Sequence, residues 1–399
     1  MPATTLPHEA RLLLLGRGLR AFVDGYVAVL LPAYLLALGL GTWHVGLLST
    51  ATLLGSALMT LAVGTWGHRL HHRRLLLAAT LLMALTGFAF AGVSGFWPLL
   101  LVAFVGTLNP SSGDVSVFLP LEHARLAHAA QGEARTTLFA RYSLTGALLA
   151  ALGALIAAAP EALVRLGIGL LPALRMMFVL YGIVGIAIWL LYRRLPGADE
   201  ALPAPPAPLR ESRGIVSRLA ALFSLDAFAG GLLVQSLLAL WLFKRFDLSL
   251  GAAAAFFFWS GLMTALSQLA APLIARRIGL LNTMVFTHIP SSLALIAAAF
   301  APRLEIALGL LLLRSALSQM DVPTRSAYVM SVVTPAERTA AASYTAVPRS
   351  LASALSPALG GALLATGWLA TPLVACGVLK IVYDLALLRV FRGVRVESE

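Results

Sequence analysis

The sequence predicts an all-α membrane protein, with twelve transmembrane helices in two pseudo-symmetric six-helix bundles. Three observations predict it. First, 59% of the 399 residues are hydrophobic and 12% charged, with mean hydropathy +0.89, whereas soluble domains carry about 25% charged residues. That much apolar surface needs lipid around it. Second, the apolar runs reach the ~20 residues that a spanning helix requires. Third, intramembrane charges recur at a nearly constant spacing between the two halves of the chain.

The spans read as roughly 19–41, 44–66, 74–94, 96–118, 137–159, 171–191, 217–243, 249–275, 281–300, 303–325, 338–366 and 368–390. Each is helical because backbone exposed to lipid must satisfy its own hydrogen bonds. Barrel strands would alternate over about ten residues, and runs such as 146–159 and 250–258 do not. Twenty of the 29 basic residues are assigned to one alternating set of termini and loops, starting with Arg11, Arg17 and Arg20 at the N-terminus. The opposite loops hold Arg165, Arg175, Lys244, Arg245 and Arg303. Cytoplasmic loops carry the Lys/Arg excess, so both termini are expected in the cytoplasm, with the chain multi-pass in the plasma membrane. The short leucine run near residue 13 is not a cleavable signal core, so span 1 is expected to be retained.

Residues 192–216 contain Pro196, Pro203, Pro205, Pro206 and Pro208 and read as a cytoplasmic linker. It separates an N-terminal half, 1–191, from a C-terminal half, 217–399. Asp24 in span 1 and Asp226 in span 7 lie 202 residues apart, Asp114 and Asp321 in spans 4 and 10 lie 207 apart, and Arg141 and Arg349 in spans 5 and 11 lie 208 apart. Parallel six-helix repeats are a transporter architecture.

With these features the chain resembles the major facilitator superfamily. That family's loop between spans 2 and 3 reads Gly-x-x-x-Asp-Arg-x-Gly-Arg-Arg. Here Gly64, Arg69 and Arg73 match, while His68 stands where the Asp would be and His71 where the second Gly would be. Exporters of the family carry Gly-Pro-x-x-Gly-Gly in span 5. Ser356-Pro357-Ala358-Leu359-Gly360-Gly361 echoes it in span 11. The resemblance implies a central cavity lined by spans 1, 4, 7 and 10. Asp24, Asp114, Asp226 and Asp321 then fall one on each.

A carboxylate inside a span costs about 2.5–3.5 kcal/mol on insertion scales, so it has a partner or a function. Coupling or substrate contact is the reading for Asp24, Asp226 and Arg314, with Tyr26 and Gln235 as further cavity candidates. Asp114, Arg141, Asp321 and Arg349 read as a gating charge network of Asp–Arg pairs toward the cytoplasmic ends of their helices. Lys380 and Asp384 are spaced for an intrahelical pair on span 12, and His288 reads as a packed histidine. Pro110, Pro348 and Pro357 interrupt spans 4 and 11 as candidate hinges. Trp43, Trp97 and Trp368 read as interface anchors.

These features exclude other classes. The basic residues punctuate apolar runs instead of clustering on a soluble domain, so nucleic acid is not a partner. One cysteine, Cys376, and no His-x₃-His spacing leave no metal site. No P-loop appears, no catalytic constellation lies at membrane depth, and no cofactor is expected. The expected function is a secondary active transporter using alternating access, with protons as coupling ion. Proton-coupled efflux of a small molecule is the first choice. Proton-coupled uptake or facilitated inward movement of a metabolite is the alternative. A monomer in the lipid bilayer is expected.

Overall fold

The computed structural model describes residues 7–66, 71–111, 116–129, 132–196, 209–334 and 337–392. Its helical segments are α1 (His8–Ala37), α2 (Thr42–Trp66), α3 (His72–Gly92), α4 (Phe96–Val105), α5 (Phe118–Ala129), α6 (Gly132–Ile156), α7 (Ala159–Arg165) and α8 (Leu170–Tyr192) in the first half of the chain. They continue with α9 (Arg213–Gly231), α10 (Gln235–Phe246), α11 (Leu250–Ile278), α12 (Leu280–Ala299), α13 (Leu304–Ser318), α14 (Asp321–Ser331), α15 (Arg338–Ala365) and α16 (Thr371–Phe391). Pairing α4 with α5, α6 with α7, α9 with α10 and α13 with α14 gives the twelve spans of a six-plus-six layout. Nine helical stretches among the described residues are long and apolar enough to cross a membrane.

The breaks have local causes. After α4 the chain leaves the helix at Gly106, and Asn109 Oδ1 accepts the Ser111 backbone N–H at 3.1 Å and the Ser111 hydroxyl at 2.8 Å. Such Asx geometry competes with the helix ladder, and Pro110 has no N–H to give it. α9 ends on Gly230-Gly231, where helix propensity is lowest among ordinary residues. α14 restarts at Asp321 because Pro323 cannot donate to the Gln319 carbonyl, yet its missing N–H costs nothing in a first turn.

Three expectations change. α1 starts at His8 instead of near residue 19, so Arg11, Arg17 and Arg20 lie in the helix, and Arg17 and Arg20 are buried. Asp24 consequently sits near the middle of α1, not early in it. Asp321 opens α14 instead of closing a continuous span 10. Span 11 is not interrupted: α15 contains both Pro348 and Pro357. The Ser353 carbonyl, deprived of its donor by Pro357, accepts the Ser356 hydroxyl at 3.3 Å, which is how membrane helices absorb an internal proline.

The chain forms two compact units. One comprises 1–44, 51–204 and 249–258; the other comprises 45–50, 205–248 and 259–399. In the first, α1 packs on α6 and α8, and α3 packs on α8. In the second, α9 packs on α15, and α12 packs on α16 and α13. The α1–α6 and α9–α15 pairs use the same device. A Cβ on Gly153 of α6 would collide with the Phe22 carbonyl, and one on Gly360 of α15 would collide with the Leu232 carbonyl. Only a residue without a side chain permits that backbone approach.

The start of α9 is held from outside. Its own N-cap residue, Ser212, gives no side-chain cap. Instead the Glu337 carboxylate accepts the backbone N–H groups of Arg210 at 2.5 Å, Glu211 at 3.0 Å and Ser212 at 2.9 Å. Those amides, Arg210's foremost, hold the Glu337 carboxyl down at about 2.

Gly153→Val and Gly360→Val should each destabilise the protein by about 1–3 kcal/mol, read as a lower thermal midpoint in detergent, while Gly309→Ala, with open space around it, should not. Glu337 adds stability that is full above about 4.5 and lost as pH falls from there toward about 2. The thermal-midpoint gap between wild type and Glu337→Gln should therefore be constant near neutrality and close in acid.

Candidate transport site: buried charges in each unit

In the first unit, Arg17, Arg20 and Asp24 follow one another at helical spacing on α1. Arg20, 2% exposed, is taken by Glu122 of α5 in a two-pronged contact of 2.7 and 2.8 Å. The same carboxylate accepts the Tyr192 hydroxyl at 2.5 Å and also the Tyr142 hydroxyl. A fork-to-fork arginine–carboxylate pair of this kind is the strong, orienting form of ion pair. It commits Arg20 to Glu122 and leaves Asp24, one turn further on, without a hydrogen bond or ion pair among the described residues. Asp24 is 6% exposed and its Oδ1 is a buried, unpartnered acceptor.

Tyr26 points elsewhere. It is fully buried and its hydroxyl donates to the Met177 carbonyl of α8 at 2.9 Å. Tyr34 likewise donates to the Phe90 carbonyl of α3 at 2.5 Å, and Tyr181 to the Thr107 carbonyl at 3.1 Å.

In the second unit, two cations and a histidine, from three elements, meet Asp226 of α9. Lys380 Nζ of α16 donates to Oδ1 at 2.6 Å, Arg325 of α14 donates to Oδ2 at 3.2 Å, and His288 Nε2 of α12 lies 3.8 Å from Oδ1. Lys380 also reaches His288 Nε2 at 3.3 Å. An ammonium can only donate, so Nε2 accepts and the ring proton sits on Nδ1, where it meets Asp384 Oδ1 at 3.0 Å. Lys380 and Asp384 therefore do not pair with each other along α16; each turns to a different helix, because Asp226 and His288 offer shorter, buried partners. His288 is a member of this network and not merely packed.

The remaining candidates separate. Asp321 pairs with Arg325, four residues along α14, at 3.1 Å. Arg349 of α15 has a buried Nε without a partner among the described residues. Arg141 of α6 is exposed, and no described acidic side chain pairs with it. Asp114 lies outside the described residues. Arg314 of α13 is half-buried and has no side-chain hydrogen bond or ion pair among the described residues. Gln235 occupies the first turn of α10. In the motif loop, Gly64 is in the last turn of α2, His68 and Arg69 lie outside the described residues, and Arg73 donates to the Arg193 carbonyl at 2.7 Å. Trp97 and Trp368 are largely exposed.

Sequence reading missed the Arg20–Glu122 pair, because both residues were assigned to loops. The signal was present: Arg17, Arg20 and Asp24 recur at i, i+3 and i+7, one face of a helix. No group of three or more His, Cys, Asp or Glu side chains that could hold a metal ion occurs among the described residues.

The family model described as Major Facilitator Superfamily matches residues 13–316. The chain belongs to the major facilitator superfamily. It is a multi-pass membrane transporter of a small molecule, not an enzyme. It is 26% identical over 359 residues to an uncharacterized membrane protein of Saccharomyces cerevisiae, YJR124C, covering 81% of this chain and 80% of that one. Among solved structures it is similar to the nucleoside transporter NupG, with a TM-score of 0.75 at 15% identity over 97% of this chain and 100% of that one. It is also similar to a bacterial homologue of the human lysosomal transporter Spinster in an inward-facing and occupied conformation, with a TM-score of 0.73 at 18% identity over 96% of each chain. At these identities the likeness is one of fold.

Removing Lys380 from this superfamily member leaves Asp226 short of one cation at a buried position. Lys380→Met should destabilise by about 3 kcal/mol. Adding Asp226→Asn should restore most of the loss, and thermal unfolding of the two single variants and the double variant measures the coupling.

Proposed function

We propose that this protein is a secondary active transporter that moves a small molecule by alternating access, driven by proton exchange, in the direction of export. Asp24 carries this reading. It is a buried carboxyl in the middle of α1 whose neighbouring arginine is committed elsewhere. An unpaired carboxylate in a span costs about 2.5–3.5 kcal/mol, a cost that a bound proton removes. Asp226, by contrast, already has Lys380 and Arg325 and serves to hold its unit together. Arg314 has no ion pair among the described residues and is the residue we assign to the substrate. The Ser356-Pro357-x-x-Gly360-Gly361 run favours export, although Gly360 also has a packing role. Relatives of similar fold include transporters of nucleosides and organic anions, which supports a small organic solute as cargo. The distribution of basic residues supports a cytoplasmic position for both termini.

Proton-coupled uptake is the second reading, since an unpaired Asp24 serves either direction. Everted membrane vesicles carrying a pH gradient, followed with a quenched dye across a compound library, separate the two. Export predicts a compound that collapses the gradient with wild type and not with Asp24→Asn. A gradient insensitive to every compound, together with protein-dependent uptake in intact cells, would overturn export.

A further inference from the structure

Away from their exposed surfaces, the helices of the second unit hold more positive charge than negative. The carboxylates are Asp226, Asp321 and Asp384, all buried. The cations are Arg325, which is buried, and Arg314, Arg349 and Lys380, which are half-buried. The other Asp, Glu, Lys and Arg side chains described in α9 to α16 are exposed. His288 adds no charge, because its Nε2 accepts from the Lys380 ammonium. One positive charge is therefore in surplus among the described residues.

The carboxylates are already served. Lys380 and Arg325 hold Asp226, Arg325 also holds Asp321, and His288 holds Asp384 at 3.0 Å. Arg349 stands in the field of Arg325, Asp226 and Asp321, so those two carboxylates already face three cations. Its Nε is buried without a hydrogen-bond partner. Arg314 stands apart from this group. The titratable side chain that acts on it is Cys376 of α16, a thiol and not a counter-ion.

The direction of Arg314 is fixed by its register on α13. It follows Ala307 by seven residues and Leu311 by three, and both of those are fully buried. Gly309 and Leu313, on the opposite face of the helix, are exposed. Arg314 therefore lies on the inner face of α13. It sits ten residues in from Leu304, about 15 Å along the helix, at a depth where lipid headgroups do not reach. A charge held there without a partner is costly, and in a transporter the cargo is the group that can neutralise it.

We propose that the cargo is an organic monoanion, an ionised carboxylic acid whose carboxylate is received by Arg314, resting on the assignment of Arg314 to the substrate made above. A cationic cargo would enlarge the surplus, and a neutral one would leave it standing. A phosphate monoester carries about 1.5–2 negative charges near neutrality and overshoots a surplus of one. A monocarboxylate cancels it, and the planar guanidinium matches both carboxylate oxygens.

The test uses the full-length protein in detergent and reads thermal midpoints across matched compounds. Benzoate is set beside benzamide, nicotinate beside nicotinamide and indole-3-acetate beside indole-3-acetamide, with further aromatic and aliphatic pairs and the corresponding amines and phosphate monoesters. Monocarboxylates should raise the wild-type midpoint where their amides do not. Arg314→Gln should weaken acid binding about tenfold and keep the ligand-free midpoint, since the side chain has no ion pair to lose. Arg303→Gln, exposed at the start of α13, should bind like wild type. The acid–amide comparison needs only wild type, so it decides the class even where Arg314→Gln does not fold. The proposal is overturned if no acid is distinguished from its amide, if amines or phosphate monoesters stabilise in preference to acids, or if Arg314→Gln binds the acid as wild type does. Proton exchange fails separately. An acid that binds wild type but leaves the pH gradient of everted vesicles intact sinks exchange and supports the cargo class. An amine that collapses the gradient sinks the cargo class and leaves exchange standing.

Discussion

A charge in the middle of a membrane span must be met from inside the protein, because hydrocarbon offers no counter-ion. Asp226 imposes that condition on the second unit. Its two oxygens are met from α14 and α16, and His288 of α12 links the lysine to a further carboxylate, Asp384. Four helices distant in sequence are thereby fixed at one point. The apolar cluster that includes Val216, Phe223, Met284, Tyr328 and Tyr383 packs on those same helices. Dispersion and close packing hold this cluster together, but they do not by themselves choose a register. A lysine that must reach one carboxylate oxygen does.

The first unit satisfies the same condition differently. Its buried arginine and buried glutamate find each other across α1 and α5, with two tyrosine hydroxyls completing the carboxylate's shell. That closure leaves Asp24 outside the arrangement. The two repeats thus place a carboxylate at corresponding sites but neutralise only one of them within the fold. This difference between equivalent positions is the basis for giving Asp24 a role in transport and Asp226 a role in cohesion.

The helical class, the span count and the repeat were legible because lipid imposes one rule on every residue it touches: long apolar runs, few charges and helical backbone. Asp24 and Asp226 stood out for the same reason. The partners did not. Lys380 and Asp384 looked like a local pair because spacing along one helix is visible in a sequence, whereas the distance from α16 to α9 or α12 is not. The onset of α1 was misplaced because Arg17 and Arg20 looked like loop charges, and only Glu122 explains how one of them is accommodated inside. Prolines of similar appearance had different outcomes. Pro110 coincides with a true break because Asn109 supplies an alternative turn, while Pro357 does not because Ser356 repairs the exposed carbonyl.

The three tyrosine bonds in the first unit have a consequence for how this fold can change. Tyr26, Tyr34 and Tyr181 each donate to a main-chain carbonyl, at Met177, Phe90 and Thr107. Every amino acid possesses that acceptor. The positions on the receiving side are therefore free to drift without breaking the bond, and only the tyrosines are constrained. Paired substitution between related chains would report the Arg20–Glu122 contact, where each partner needs the other. It would be blind to the tyrosine contacts, although these tie α1 to α8 and α3, and α8 to the segment after α4. Part of what holds this unit in register is invisible to any method that looks for residues changing in step.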